Sequence, residues 1–363
     1  MLSDDFQVQD FNRKLKAWYL ENHRRLPWRD TRDPYKIWLS EIILQQTRVA
    51  QGMPYYERFL LNYPTVRDLA NAEEKDVLRL WQGLGYYSRA RNMHYTARQV
   101  VSEYGGQFPA SAAQLSKLKG LGTYTAAAVA SFAFGEAVPA VDGNVYRVLS
   151  RIFGVFTDIL SNEGKKEFYS LAEKLISHDD PATFNQAMIE FGALQCVPVS
   201  PKCETCPFND ICYAYFHQAQ GKLPVKQKKS AAKQRYLHYI VIEQSGRLAM
   251  KERGGKDIWQ GLYDFLLIES KVPDSNPDDW ELDASLQQLF HSGLLQEIPK
   301  IYTHILTHQR LNVRFWRLEI QEESTVSLPG TLAFYSKEEV GALPKPILID
   351  SFLKDEGLLF NFQ

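Results

Sequence analysis

One stretch constrains the fold of this chain more than any other: two helices joined by a glycine turn too tight for most residues. A short polar helix is expected from Ala112 to Leu118, followed by Gly120-Leu121-Gly122 and an Ala-rich helix from Thr123 to Gly135. Without a Cβ, Gly120 and Gly122 can take positive φ and let another backbone come close. The amides at the turn and at the start of the second helix then point outward. Such a helix start suits an anion, above all a phosphate. The alanines let the second helix lie close against a neighbour. A Pro-containing loop follows, leading to Asp142-Gly143-Asn144.

The rest of the chain divides by hydrophobic period. At roughly 100–200 residues per domain, its 363 residues predict two or three domains. Phe11, Leu15, Trp18, Tyr19 and Asn22 mark a first helix. Asp33-Pro34 opens another, with an apolar face of Tyr35, Trp38, Leu39, Ile42 and Ile43 and with Glu41 off that stripe. Further helices are expected at 55–62, 66–72, 75–80, 89–104, 145–153, 165–176 and 181–195. Residues 1–216 therefore read as all-α. Trp81 to Ser88 repeats a Gly-Leu-Gly-x-Tyr pattern, a weak internal echo of the hairpin. Residues 217–235 read as a basic linker. From 236 to 363 the pattern is α+β: strands at 236–243, 247–251, 301–306 and 311–320, and a helix at 284–290.

The formal net charge is -1, so any nucleic-acid surface must be local. The acidic start MLSDDFQVQDF lacks a signal-type apolar region, and no run reaches the roughly 18 apolar residues of a spanning helix. A cytoplasmic location is expected.

Cys196, Cys203, Cys206 and Cys212 are the only cysteines and form C-x6-C-x2-C-x5-C. In a cytosolic chain such a cluster points to a metal centre. Four thiolates suit zinc or an iron–sulfur cluster, and ligand type alone does not choose. Asp142 stands directly before the helix at 145–153 and reads as its N-cap. A helix start also stabilises a carboxylate, so its pKa is expected to be lowered.

Gly-Leu-Gly-Thr-Tyr-Thr-Ala, then Val-Asp-Gly-Asn-Val-x-Arg-Val, together with the cysteine spacing, resembles the helix-hairpin-helix superfamily of DNA glycosylases. Within it the match is to the MutY family of adenine glycosylases. The resemblance covers nearly the whole chain and is strongest over residues 24–212. It implies an all-α helix-hairpin-helix glycosylase domain (hairpin 112–134) with an iron–sulfur cluster loop (196–212), followed by an α+β Nudix-like domain. It implies a [4Fe–4S] cluster on the four cysteines. Ser40 to Thr47 looks like the family signature S-E-x-x-L-Q-Q-T, which makes Glu41 the general acid. Ile37 and Trp38 beside it would raise its pKa. Asp142 would stabilise the sugar cation or trap it covalently. Tyr124 and Asn144 would order the site and the attacking water.

Tyr124 occupies the place of the Schiff-base Lys in bifunctional members, and Lys119 does not match that position, which favours base excision without strand cleavage. Gly120 and Gly122 match the phosphate-binding amides, and Gln46, Thr47 and Tyr86 match residues at the flipped base. Arg24, Trp28 and Arg29 match the base-pocket loop. Read alone, Glu41 is a solvated helix residue, Tyr124 a packing residue, and Trp28 and Tyr86 core aromatics.

Trp259 to Phe265 resembles a Nudix segment, yet where the metal-binding box should follow the chain offers Ser285-Leu286-Gln287-Gln288. Without clustered carboxylates there is no hard-cation site, so residues 236–363 should recognise a lesion and not hydrolyse a nucleotide. Leu306-Thr307-His308 aligns with the family's Phe-Ser-His loop. Thr307 keeps the hydroxyl that would read 8-oxoguanine, with His308 beside it. The implied activity is removal of adenine opposite 8-oxoguanine, or guanine, by a monomer acting on duplex DNA at the nucleoid. The alternatives are a glycosylase/lyase for oxidised pyrimidines, a DNA-binding protein with a structural cluster, and a pyrophosphohydrolase.

Overall fold

The computed structural model describes residues 6–227, 232–255, 257–273, 275–322 and 326–359. Residues 228–231 of the expected linker and 360–363 of the expected last domain lie outside them. The chain forms two compact units. The first comprises Met1–Asn71 and Asn92–Lys228, the second Ala72–Arg91 and Lys229–Gln363.

The first unit is helical throughout, as the 3.6-residue period predicts. The Pro34–Leu44 helix starts where Asp33 Oδ1 accepts the Tyr35 amide at 2.9 Å and Pro34 supplies a preset φ. Tyr35, Ile37, Trp38, Leu39, Ser40, Ile42 and Ile43 of this helix are all buried, so it is packed on most sides. It lies against the Thr123–Phe134 helix. There Ala126, Ala127, Ala128 and Ala130 are buried and hold the two backbones close. A second core joins the Val8–Asn22, Gly143–Phe153 and Pro181–Leu194 helices through Phe11, Trp18, Val148, Leu149, Met188 and Phe191. Each such side chain contributes roughly 1.5–3 kcal/mol when fully buried.

The helix expected over 112–118 is shorter, ending at Leu115. Leu115, Leu118 and Leu121 are all buried, a spacing of three. The backbone follows it with hydrogen bonds from Leu118 N to Leu115 O and from Leu121 N to Leu118 O. Tight three-residue turns keep all three leucines on the core, which a 3.6-residue helix would not.

The described part of the expected linker is not a free charged run. Leu223 and Ala219 pack with Ala214, and Ile159 N donates to Val225 O. Arg151, itself buried, donates to Leu223 O, Gln220 O, Val197 O and Pro198 O. Lys233 to Arg235 already belong to a strand.

Among the described residues the second unit holds seven strands: β1 (Lys233–Gln244), β2 (Arg247–Glu252), β3 (Tyr263–Asp264), β4 (Leu266–Ser270), β5 (Gly293–Ile305), β6 (Gln309–Ile320) and β7 (Ala333–Tyr335). The order is β3-β2-β1-β6-β5, with β4 also on β1 and β7 on β2. β1 and β6 run parallel, and β5 and β6 form an antiparallel hairpin. Leu237, Tyr239, Val241, Val313 and Phe315 face one core, and Ile240, Ile242, Trp316 and Leu318 the other. The Ile347–Asp355 helix covers the first face, with Phe352 stacked on Phe315 at 3.8 Å. The Ala284–His291 helix lies on the second through Leu289.

The second unit includes Ala72–Arg91, which the sequence reading placed with the helical domain. There Tyr87 Oη donates to Lys345 O at 3.2 Å, Arg79 to Gly341 O at 3.0 Å, and Arg91 to Gln260 O at 2.6 Å.

Candidate active site and cluster loop

A cleft of about 860 Å³ opens in the first unit, and it gathers Glu41, Tyr124, Asp142 and Asn144 from three helices distant in sequence. Glu41 lies on the one side of its helix left unpacked and points into this cleft; it is partly buried and not a solvated surface residue. Burial pushes its carboxyl up to about 7, and the nearby Asp142 charge pushes the same way, while the Tyr124 hydroxyl and Arg29 act against them.

Asp142 caps the Gly143–Phe153 helix, as expected. Its Oδ1 accepts the Asn144 and Val145 amides, each at 2.9 Å, and its Oδ2 accepts Asn144 Nδ2 at 2.8 Å. The expected lowering of its pKa is not found. Burial in the cleft raises it, outweighing those hydrogen bonds and the positive Arg147. Both carboxyls are therefore raised. The Asp142 charge hinders ionisation of Glu41, whose carboxyl keeps its proton to near neutrality.

Asn144 is held from behind. Arg147 Nη2 donates to Asn144 Oδ1 at 2.8 Å and to Gly192 O at 2.6 Å, and its Nε donates to Cys196 O at 2.7 Å. A continuous chain of bonds thus runs from Asp142 to the first cysteine. Gly192 permits it: a Cβ there would stand 2.6 Å from Asn144 Cβ. The loop before Asp142 is fixed by buried Asn185, which accepts Ala140 N at 2.9 Å and donates to Val138 O at 2.9 Å. Arg147 is the Arg of the Val-Asp-Gly-Asn-Val-x-Arg-Val motif, but sequence reading assigned it no role, and Gly192 and Asn185 carried no signal.

Arg24, Trp28 and Arg29 line the cleft as expected, but both arginines are engaged within the protein. Glu190, fully buried, accepts Arg24 Nε at 2.8 Å and Nη2 at 2.6 Å, and Arg29 Nη2 at 2.7 Å. Despite burial, these bonds hold the Glu190 carboxyl down at about 2. They build the wall of the pocket and are not free phosphate donors. Glu190 was missed; its one signal is a carboxylate amid the buried stripe of Phe184, Ala187, Met188 and Phe191. Trp28 is a core aromatic, edge-on to Tyr56 at 5.0 Å.

Gln46 and Thr47 follow the Pro34–Leu44 helix on the cleft rim. Gln46 is exposed with φ 57, a left-handed conformation that costs a non-glycine residue of the order of 1 kcal/mol. Among the described residues no lysine lines the cleft, and Lys119 sits over the Tyr95 ring at 4.4 Å.

The hairpin glycines differ from each other. Gly120 has φ 83, and a Cβ would meet Asn92 Cβ at 2.8 Å. Gly122 has φ -75, not the expected positive value, and a Cβ on it would meet nothing within 4 Å. Its role is an uncovered approach to the first turn of the Thr123–Phe134 helix.

All four cysteines line one small cavity. Four thiols in one place are the donor set that an iron–sulfur cluster takes. Arg151 Nη1 reaches Cys196 Sγ at 3.5 Å, and Gln220 Nε2 reaches Cys203 Sγ at 3.8 Å. Burial pushes the Cys206 thiol up to about 12 and raises Cys196 and Cys212, so thiolates form there only with a cationic centre to hold them. The residues fit an iron–sulfur cluster.

In the second unit, Leu306 to His308 form the turn of the β5–β6 hairpin, closed by Leu306 N to Gln309 O at 2.8 Å. Leu306 packs on the core, so the hairpin holds without an aromatic there. Tyr86 is not a core residue: it is 48% exposed, and its hydroxyl lies 2.5 Å from Thr307 Oγ1. His308 is exposed, and its carbonyl accepts Lys233 N. The Ala284–His291 helix carries no carboxylate, in keeping with the missing Nudix box.

Residues 39–178 match the HhH-GPD superfamily of base excision DNA repair proteins, 196–212 the iron–sulfur binding domain of endonuclease III, and 238–355 the NUDIX domain. The chain is similar to the adenine DNA glycosylase of Mus musculus, at 41% identity over 93% of this chain and 76% of the relative. It is similar to that of Rattus norvegicus at 32% identity over 91% and 75%. Among solved structures, a thermostable thymine-DNA glycosylase matches with TM-score 0.54 and 32% identity, over 58% of this chain and 97% of that one.

Proposed function

The chain belongs to the adenine DNA glycosylases, base excision repair enzymes that carry a [4Fe–4S] cluster, and from that premise we propose that its substrate is adenine opposite 8-oxoguanine or guanine in duplex DNA. The observation that carries the proposed chemistry is the pair Glu41 and Asp142 in one cleft, with Glu41 raised to about 7 by burial and by the Asp142 charge.

Chemistry on a base requires the nucleotide to leave the stack. Glu41, still protonated, gives its proton to a nitrogen of the adenine five-membered ring. The glycosidic electron pair leaves with the base, and the sugar becomes an oxocarbenium ion facing ionised Asp142. Glu41, now a carboxylate, takes a proton from the attacking water. Tyr124 donates to the Glu41 carboxylate. Asn144 fixes the Asp142 carboxylate. The lack of a lysine in the cleft supports simple hydrolysis over strand cleavage. Cys196, Cys203, Cys206 and Cys212 would hold the cluster, which supplies structural support to the loop beside the Arg147 bonds. Gly120 and Gly122 offer amides to a phosphate, Gln46 and Thr47 meet the duplex at the extruded base, and Tyr86 is a further DNA contact on the second unit.

Thr307 is the proposed reader of 8-oxoguanine: its hydroxyl can accept from the N–H that replaces an acceptor of guanine. His308 stands beside it. The enzyme is read as a monomer. It would act at the nucleoid in the cytoplasm; no helix among the described residues is long and apolar enough to cross a membrane. Glycosylase chemistry is assigned to the helical unit and lesion recognition to the unit that holds the sheet, whose first strand begins at Lys233. The test is release of free adenine from duplexes pairing A with 8-oxoguanine, guanine or cytosine. Equal release from all three would overturn the substrate assignment.

A further inference from the structure

Tyr86, whose hydroxyl meets Thr307, sits in a turn of unusual backbone. Gly83 has φ 99, Gly85 φ 72 and Tyr86 itself φ 50. A left-handed conformation costs a tyrosine of the order of 1 kcal/mol and persists only where its surroundings impose it. Tyr86 is half exposed, so its own packing does not hold it there.

Both ends of the turn are fastened to one residue. Before it, Gln82 Oε1 accepts Lys345 N at 3.3 Å, and after it Tyr87 Oη donates to Lys345 O at 3.2 Å. Tyr87 Oη also accepts Gly83 N at 3.4 Å, which closes the turn on itself. The sequence around 345 suits this task. Pro344 and Pro346 flank it, and a residue before proline is pushed to extended backbone. An extended residue points its own N–H and C=O to the same side. Lys345, outside any helix or strand, thus offers a donor and an acceptor together.

The side chain of Lys345 is buried, at 1% exposure, and Nζ donates to Val340 O at 2.6 Å and to Leu343 O at 2.8 Å. Arg79, from the segment that carries the turn, donates to Gly341 O at 3.0 Å. The carbonyl end of the Lys337–Ala342 helix, which attracts cations, is therefore met by one cation from each segment. Burial pushes the Lys345 amine down to about 8, with the Asp350 charge opposing, so it keeps its charge at neutral pH.

We propose that Lys345 is a positioning residue for discrimination between 8-oxoguanine and guanine. Its buried side chain fixes residues 343–346, and its backbone clamps the 82–87 turn so that Tyr86 stands at Thr307. This rests on the reading of Tyr86 and Thr307 as DNA contacts.

The test uses the whole chain with its cluster. Hydrogen exchange of the 82–87 amides is followed beside the ratio of single-turnover adenine release opposite 8-oxoguanine and opposite guanine. Tyr87→Phe removes the clamping hydroxyl alone, and Lys345→Met removes the charge but keeps the length. Thermal midpoints confirm folding, and if Lys345→Met does not fold, Tyr87→Phe decides. Exchange at 82–87 is expected to rise about tenfold in both. The ratio is expected to fall about threefold in Tyr87→Phe and about tenfold in Lys345→Met. In a Tyr86→Ala background neither should lower it further, because the side chain they place is gone. Unchanged exchange in both variants overturns the clamp. An unchanged ratio in both, while Thr307→Val lowers it, overturns the positioning role and leaves Thr307 as reader. A ratio that also ignores Thr307→Val and Tyr86→Ala overturns the underlying reading instead. A fall that persists in the Tyr86→Ala background overturns action through Tyr86.

Discussion

The rate of adenine release should fall as pH rises through about 7, because the acid that must be protonated has its carboxyl pushed up to that value. For the free enzyme with a pKa at 7, the protonated fraction drops from about 0.9 at pH 6 to about 0.1 at pH 8, close to tenfold. A base in the cleft removes further water from Glu41, so in the bound complex the descending limb should lie at or above 7. Asp142 must be ionised and is itself raised, which places an ascending limb on the acid side; the two limbs report the coupled pair. The assay is single-turnover excision with enzyme in excess, across pH 5 to 9. Glu41→Gln should abolish the fast phase while duplex binding survives. Linkage gives an independent check. A carboxyl raised on folding favours the fold only while protonated, so stability is lost as pH climbs from the unfolded value of 4.5 through about 7. The full effect is about 3 kcal/mol, less in practice because Glu41 is only partly buried. Glu41→Gln should accordingly be more stable than the wild type at pH 8 and no more stable at pH 4. A rate unchanged between pH 7 and 9, with no stability gain in Glu41→Gln, would refute the assignment of Glu41 as buried acid.

Asp142→Asn should keep the helix cap, since Asn caps well, yet lose nearly all excision; a near-normal single-turnover rate would make Asp142 only a cap. Gly122→Ala should leave the thermal midpoint within about 2 °C but weaken duplex binding, because the added methyl meets no protein atom and stands where a phosphate would approach. Gly120→Ala should instead destabilise by about 1–2 kcal/mol through its left-handed φ and the Asn92 contact, read by denaturant melts. Thr307→Val should cost roughly 0.5–1.5 kcal/mol of preference for 8-oxoguanine over guanine opposite A, with excision itself little changed. Cys203→Ser should lose iron and visible absorption; stoichiometric zinc without iron in the wild type would contradict the cluster.

Sequence by itself determined the elements whose signals are local. Asp33-Pro34 and Asp142 mark helix starts because capping needs only a side-chain oxygen and the next two or three amides. The apolar period placed the 34–44 and 145–153 helices, the switch to alternation near 236 announced the sheet, and the cysteine spacing announced a cluster. Glu41 and Asp142 were legible through motif resemblance. What lay beyond reach depends on groups far apart in the chain. Periodicity cannot show that Glu190 meets Arg24 and Arg29 across 161–166 residues, nor that Arg147 joins Asn144 to Cys196. The direction of the Asp142 shift was misjudged for the same reason: the cap that lowers it is local, while the burial that raises it comes from helices that only the tertiary fold assembles. Residues 72–91 show the limit again. Their sequence echoes the hairpin, yet they pack with the sheet, because hydrogen bonds to Gln260, Gly341 and Lys345 decide their place, and no local pattern records those partners.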